Sequence, residues 1–400
     1  MSDERGGLRL KLKSCEKATV GTIHEPGEPR EAVHGQRCCP QTETQGKRVE
    51  FFLIACLFLL VGSWSQFPGS PAGTMRHDDI YFVDHNTGWS VRASGLIHKT
   101  VDSGANWVLK ISKPGTHFRC IGFASAERGF AGNLGAGAYD GAVTDTNVLY
   151  QTLDGGDTWK NVPGFKEAGM KGLCAMYILD AKHIFGGGRV RGPAYFIKST
   201  DGGDNWTIRN LTAMGIMNGI MDVYFKDPLN GFVVGMDPHS FSADCSTPYY
   251  GRIAKTNDGG ETWTPVLTTT ISCAYCWKMS WPTPQVGYVS LQQNGSYNKF
   301  IYYQTTDGGD NWTQKSVALS SVGLSPSSFY VQGIGFVSPD EGWIGGTSGI
   351  PYPNSFLHTT DGGNTWSGTG YNDTYRINRI RFLDSDFGVA AGERLHVFRR

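Results

Sequence analysis

From about residue 64 to its end, the chain alternates short apolar runs with glycine-rich polar turns, and none of these runs has the 3.6-residue period of an amphipathic helix. The pattern therefore predicts short strands throughout. Two interleaved repeats organise them. The first is an acidic turn with a tryptophan five positions on: Asp102 to Trp107, Asp154 to Trp159, Asp201 to Trp206, Asp258 to Trp263, Asp307 to Trp312 and Asp361 to Trp366. The second sets an aromatic or aliphatic residue six positions before a glycine: Phe82 to Gly88, Phe123 to Gly129, Phe225 to Gly231, Trp281 to Gly287, Phe336 to Gly342 and Phe382 to Gly388. A further copy runs from Ile178 to Ile184, with isoleucine replacing the glycine, which makes seven.

Each unit thus holds two strands around one turn and two around the other. Four antiparallel strands repeating every 41 to 56 residues are the signature of propeller blades. The expected fold is an all-β, seven-bladed propeller. Blade seven lacks an acidic turn, so its outer strand must come from elsewhere. Trp64 lies 18 residues before Phe82, inside the 16 to 24 found between a turn tryptophan and the next inner strand. A strand near Trp64 is therefore expected to close the ring, with the propeller occupying residues 64–400.

Residues 1–48 are polar, of mixed charge and without apolar periodicity, and read as a disordered leader. Residues 49–63 contain the apolar run Phe51 to Val61, whose eleven residues are short for a bilayer span and suit a signal peptide, or a signal anchor extending to about Phe67. Membrane attachment through residues 49–67 and a secreted or lumenal propeller follow as expectations.

Composition refines this picture. Glycine accounts for 54 of 400 residues and charged residues for 18%, as many tight turns and few solvated helices require. A formal charge of zero argues against nucleic acid as a partner. Of nine cysteines, four lie before residue 60. The other five are too few for a disulfide framework, so packing must hold the ring. Cys273 and Cys276 are spaced for a loop disulfide, since two ligands alone do not close a zinc site. Asn210, Asn294 and Asn372 open glycosylation sequons.

The element Thr/Ser-x-Asp-x-Gly-x-x-Trp resembles the Asp box, or BNR repeat, of sialidases, sortilin-type receptors, some glucan hydrolases and the photosystem II stability/assembly factor family. The last resembles both halves of each unit. That resemblance implies a monomeric, non-enzymatic binding or assembly propeller without cofactor or metal, located in the thylakoid lumen if the organism is photosynthetic. The six Asp-box aspartates and their tryptophans are expected to be structural, because a carboxylate can accept backbone N–H bonds within its own turn.

The long, variable loops all fall on one face, opposite the repeated turns, and binding specificity is expected there. Arg119, Arg189, Arg191, Arg252, Arg376 and Arg379 lie on or near these loops. Family members carry an arginine patch for a protein partner, so these six, with Tyr139 and Trp277, are the candidate contacts for a protein or a glycan. The alternative is a glycoside hydrolase. A sialidase would need a tyrosine activated by a glutamate, and glutamates are scarce after residue 63; a two-carboxylate hydrolase would draw on residues such as Asp140, Asp145 or Asp237. No spacing marks any of them as catalytic.

Overall fold

A computed structural model describes residues 62–71, 75–137, 142–294, 297–325, 330–347, 356–369 and 377–400. The expectations for the leader 1–48 and for the apolar run up to Val61 lie outside these residues. The described residues form one compact unit. It contains seven four-stranded antiparallel sheets, with a single 3-10 turn, Leu319–Val322, as the described helical element. No described helix is long and apolar enough to cross a membrane.

The inner strands are His77–Phe82, Phe118–Phe123, Ala175–Ile178, Gly219–Phe225, Ala274–Ser280, Tyr330–Phe336 and Ile377–Phe382. In six of them the register with the second strand slips by a bulge near the loop-face end; only blade three runs without one. A bulge inserts an unpaired residue and re-aims its neighbours. Adjacent side chains such as Asp78 and Asp79 can therefore both reach the ring axis.

The ring closes as the tryptophan spacing predicts. Strand Ser63–Gln66 pairs with Leu395–Arg399 as the outer strand of blade seven, with Trp64 opposite Phe398. Trp64 stacks on Phe356 of blade six at 4.7 Å, and Phe67, fully buried, lies 5.9 Å from Phe82 of blade one. This corrects the expected membrane segment: residues 63–67 belong to the fold, so an anchor cannot extend to Phe67.

Neighbouring blades lock through the Asp boxes. In blade two, the Thr152 hydroxyl donates to Asp154 at 2.8 Å and receives the Gly156 N–H at 2.8 Å. Asp154 also accepts the Thr158 amide at 2.8 Å and the Thr158 hydroxyl at 2.6 Å. Asp102, Asp201, Asp258, Asp307 and Asp361 repeat the clasp, with Asn106, Asn205 and Asn311 or Thr262 and Thr365 in the place of Thr158. The side-chain and then the backbone bond of Thr158 push the Asp154 carboxyl down to about 2. The second box glycine sits directly beneath an aromatic ring of the preceding blade: Gly203 under Phe130, Gly260 under Phe196, and Gly309 under Phe232.

The acidic residue after the glycine pair has a different task. Asp157 meets Lys110 at 2.7 Å, Asp204 meets Arg128 at 2.5 Å, Glu261 meets Lys198 at 2.7 Å as well as Arg209, and Asp310 meets Lys255 at 2.6 Å. Each cation comes from the preceding blade. The ladder explains a second acid in the turn without any metal.

Blade three departs from the repeat in a compensated way. Elsewhere the glycine leaves room for the inner-strand ring, as Gly231 does for Phe225 and Gly342 for Phe336. Here Ile178 replaces the aromatic, so Ile184 fits where a glycine would otherwise be needed, and Gly122 of blade two makes room for Ile178.

Gly309 combines a φ of +92° with the Phe232 ring in the path of any Cβ, whereas Gly215 has a φ of +70° and open space. Gly309→Ala is expected to lower unfolding stability by about 2–4 kcal/mol and Gly215→Ala by about 1 kcal/mol. Equal urea midpoints for the two variants would contradict the interblade role of the box glycine.

Candidate functional site

The seven inner strands surround an axial channel that is electrostatically crowded midway. Asp222 of blade four accepts a bidentate pair from Arg379 of blade seven at 2.9 and 3.0 Å and the Met279 amide at 3.0 Å. Asp79 of blade one lies 3.2 Å from Arg379 and 3.0 Å from Arg381. Asp78 pairs with Arg119, with His117 at 2.7 Å and with Arg76 at 2.7 Å. The three carboxylates Asp78, Asp79 and Asp222 face the five cations Arg76, Arg119, Lys278, Arg379 and Arg381, an excess of two positive charges.

Buried charges survive only when paired, and these are. Burial raises the Asp222 carboxyl, but Arg379 and then Lys278 outweigh it and push it down to about 2. Lys278 is fully buried and donates to the Met221 carbonyl at 2.9 Å; burial and then Arg379 push it down to about 8 against Asp222. Toward the loop face, Leu134, Cys174, Val190, Met221 and Trp277 form a buried apolar cluster.

Several candidates therefore occupy unexpected places. Arg119 and Arg379 are not loop-face arginines. They are 3% and 6% exposed, on inner strands, with their charges committed to Asp78 and Asp222. Trp277 is likewise buried, with the Arg119 guanidinium 5.1 Å from its ring. In each case the inner-strand bulge turns the residue toward the axis.

Arg189, Arg191 and Arg252 do belong to the loop face. Arg189 donates to the Gly192 and Ala136 carbonyls, Arg252 to Ile216 O and Thr268 Oγ1, and Arg191 lies over the Phe241 ring at 4.5 Å. Tyr139, Arg376 and Asn372 lie outside the described residues. The Asn210 amide is held by the Tyr195 hydroxyl and by the Ala213 N–H, whereas Asn294 is exposed.

The cysteine pairing differs from the expected Cys273–Cys276. Cys273 bonds to Cys245, with Cα atoms 5.9 Å apart, and Cys276 is a free, buried thiol. Cys276 points into the core between blades four and five, among Val234, Ile253 and Leu291. Cys273, at a φ of +57° just before that strand, reaches instead to the loop ahead of Tyr249.

Two lysines that the sequence did not single out complete the loop face. Lys166 and Lys171, both exposed, line a hollow of about 480 Å³ between blades two and three together with Arg189, Ala136, Thr146 and Met170. Neither ammonium has an ion-pair partner among the described residues. Their only sequence signal was their position in a long loop between strands.

Of the suggested hydrolytic carboxylates, Asp145 and Asp237 are each held by neighbouring donors and lie on different blades. Asp145 accepts from the Thr116 hydroxyl at 2.6 Å, the Tyr150 hydroxyl at 2.5 Å and the Asn147 amide at 3.0 Å. Burial works against it, yet these donors hold it below the usual range. Asp237 accepts from His239 at 2.6 Å and the Tyr250 amide at 3.2 Å, on blade four rather than blade two. Asp140 lies outside the described residues.

Comparison with known proteins agrees with the repeats. Residues 276–374, spanning blades five and six, match the family model of photosynthesis system II assembly factor YCF48. A structure of YCF48 bound to D1 peptide is 17% identical, with a TM-score of 0.57, over 84% of this chain and 96% of its own. YCF48 from Cyanidioschyzon merolae is 15% identical at a TM-score of 0.59, over 84% and 98%. A GH74 xyloglucanase from Xanthomonas campestris is 14% identical at a TM-score of 0.53, over 83% of this chain and 52% of the enzyme. At these identities the structural likeness establishes the propeller fold alone. No curated protein sequence matches the chain.

The channel makes a pH prediction. An unfolded lysine titrates near 10.4 and folded Lys278 at about 8, so the unfolded chain binds more protons between those values and this group makes stability rise with pH across that window. Lys278→Met removes that contribution. Chemical-denaturation midpoints should show the wild type gaining on the variant from about pH 8 to about pH 10.5, and a constant gap would refute the buried, weakened lysine.

Proposed function

We propose that this chain is a non-enzymatic assembly propeller of YCF48 type that holds a protein partner on its variable loop face. The match of blades five and six to the YCF48 family model carries the reading. A related propeller is described as bound to a peptide of D1, a precedent for peptide capture on this scaffold. The loop face supplies suitable chemistry: Lys166 and Lys171 beside Arg189 make a basic hollow for an acidic segment, with Arg191, Arg252 and Phe241 in the neighbouring loops. The Cys245–Cys273 bond suits a lumenal or extracellular compartment, where disulfides persist.

The glycosidase reading rests on the GH74 likeness. Among the described residues every carboxyl whose titration is displaced is displaced downward, whereas a general acid at neutral pH must be raised, which favours the non-enzymatic reading.

The test is affinity capture from the cells that make the protein, with wild type and the Lys166→Glu/Lys171→Glu double variant side by side. The wild type should recover a stoichiometric protein whose yield falls about tenfold with charge reversal and falls also with added salt. Equal recovery by both forms would remove the basic hollow from the interface. Turnover of β-glucan or sialoside substrates that is lost on changing Asp237 would overturn the non-enzymatic reading.

A further inference from the structure

The other end of the channel, on the Asp-box face, opens into a cavity of about 270 Å³ at the ends of the inner strands. Its chemistry is one-sided. Tyr81, Tyr177 and Tyr224 line it, and among the described residues their hydroxyls have no hydrogen-bond partner. Arg381 uses Nε and Nη2 on Asp79, while its Nη1 makes no hydrogen bond among the described residues.

These donors converge. Burial, then the Tyr224 and Tyr81 hydroxyls, push Tyr177 up, and the Arg381 guanidinium opposes them, as groups sharing one small space do. The walls are aromatic: Tyr177 meets Tyr224 edge-on at 5.2 Å, and Tyr224 stacks on Trp281 at 4.9 Å. The two carboxylates within reach, Asp79 and Asp222, are already saturated by Arg379 and Arg381. The cavity thus offers O–H and N–H donors, apolar sides and the excess positive charge of the axis, and its carboxylates are already neutralised.

We infer that the Asp-box mouth of the channel, formed by Tyr81, Tyr177, Tyr224 and Arg381, is a binding site for a carboxylate on a small apolar group. A free aromatic or aliphatic acid and the C-terminal residue of a peptide share that chemistry. Both fit: a flat two-oxygen anion takes the hydroxyls and Nη1, and its apolar body lies against Tyr224 and Trp281. The site is at the opposite end of the axis from the basic hollow, so it stands or falls independently of the partner interface.

Calorimetric titration of the whole chain tests it with four probes: benzoate, benzamide, acetyl-tetra-alanine with a free carboxylate, and the same peptide amidated. Saturable binding of benzoate or the free-acid peptide, but of neither amide, is expected. Benzoate alone would identify a free small acid, and the peptide alone a chain terminus. Tyr177→Phe/Tyr224→Phe removes two hydroxyls and no packing, and should weaken binding about tenfold or more at an unchanged unfolding midpoint. Arg381→Gln should weaken binding as well, with a lower unfolding midpoint, because it also takes a cation from buried Asp79. No saturable binding of either acid, amides that bind equally, or an affinity indifferent to the tyrosine pair would overturn the assignment.

Discussion

The pairing of Arg379 with Asp222 joins blade seven to blade four across the axis of the ring, and the rest of the interior is arranged around it. Neither charge could be buried alone, because removing one partner of such a pair leaves an uncompensated ion at a cost of about 3–5 kcal/mol. The second carboxylate, Asp79, draws in Arg381, and the third, Asp78, draws in Arg119 and His117. A channel that seven inner strands would leave open is thereby blocked midway. Its two ends become chemically distinct, an apolar plug around Trp277 below the loops and a donor-lined mouth beside the Asp boxes.

Around that centre, blade-to-blade cohesion is local and repetitive. A box glycine receives a ring of the preceding blade, and the acid that follows it receives a cation of the same blade. Both contacts lie on the Asp-box face, so that face is constrained by the fold. Loops at the opposite end carry no such duty, and there the chain departs most from its repeat, with the Cys245–Cys273 loop and the hollow lined by Lys166 and Lys171. Freedom from the repeat is what makes that face suitable for recognition.

How much of this was legible in the sequence depends on whether a residue's role is local or spatial. The blade count, the Asp-box clasps and closure through Trp64 all follow from fixed offsets along the chain, because each depends on hydrogen bonds or strand pairing at set spacing. Arg119, Arg379 and Trp277 lie beside the long loops in the sequence, yet each sits at an inner-strand bulge, and no composition signal marks one. The cysteines show the same limit from the other side. Proximity in sequence favoured Cys276, but strand direction sends Cys276 into the core and leaves Cys273 to the loop that holds Cys245. Tyr81, Tyr177 and Tyr224 sit one position before the repeat's inner-strand apolar residue, Phe82, Ile178 and Phe225, a register that becomes a cluster only when the ring is closed.

The electrostatics bear finally on what the molecule can do. A formal charge of zero excludes a generally basic binder, yet it conceals an axis with two surplus positive charges and a separate basic hollow on the loop face. Acidic groups are correspondingly spoken for: Asp78, Asp145 and Asp222 are each held low by donors or cations, and the Asp-box carboxylates by their own turns. Among the described residues the Tyr81, Tyr177 and Tyr224 hydroxyls and the Lys166 and Lys171 ammonium groups, by contrast, have no partner. Such unengaged donors suit the anionic groups of another molecule, which is what the proposed binding role requires of them.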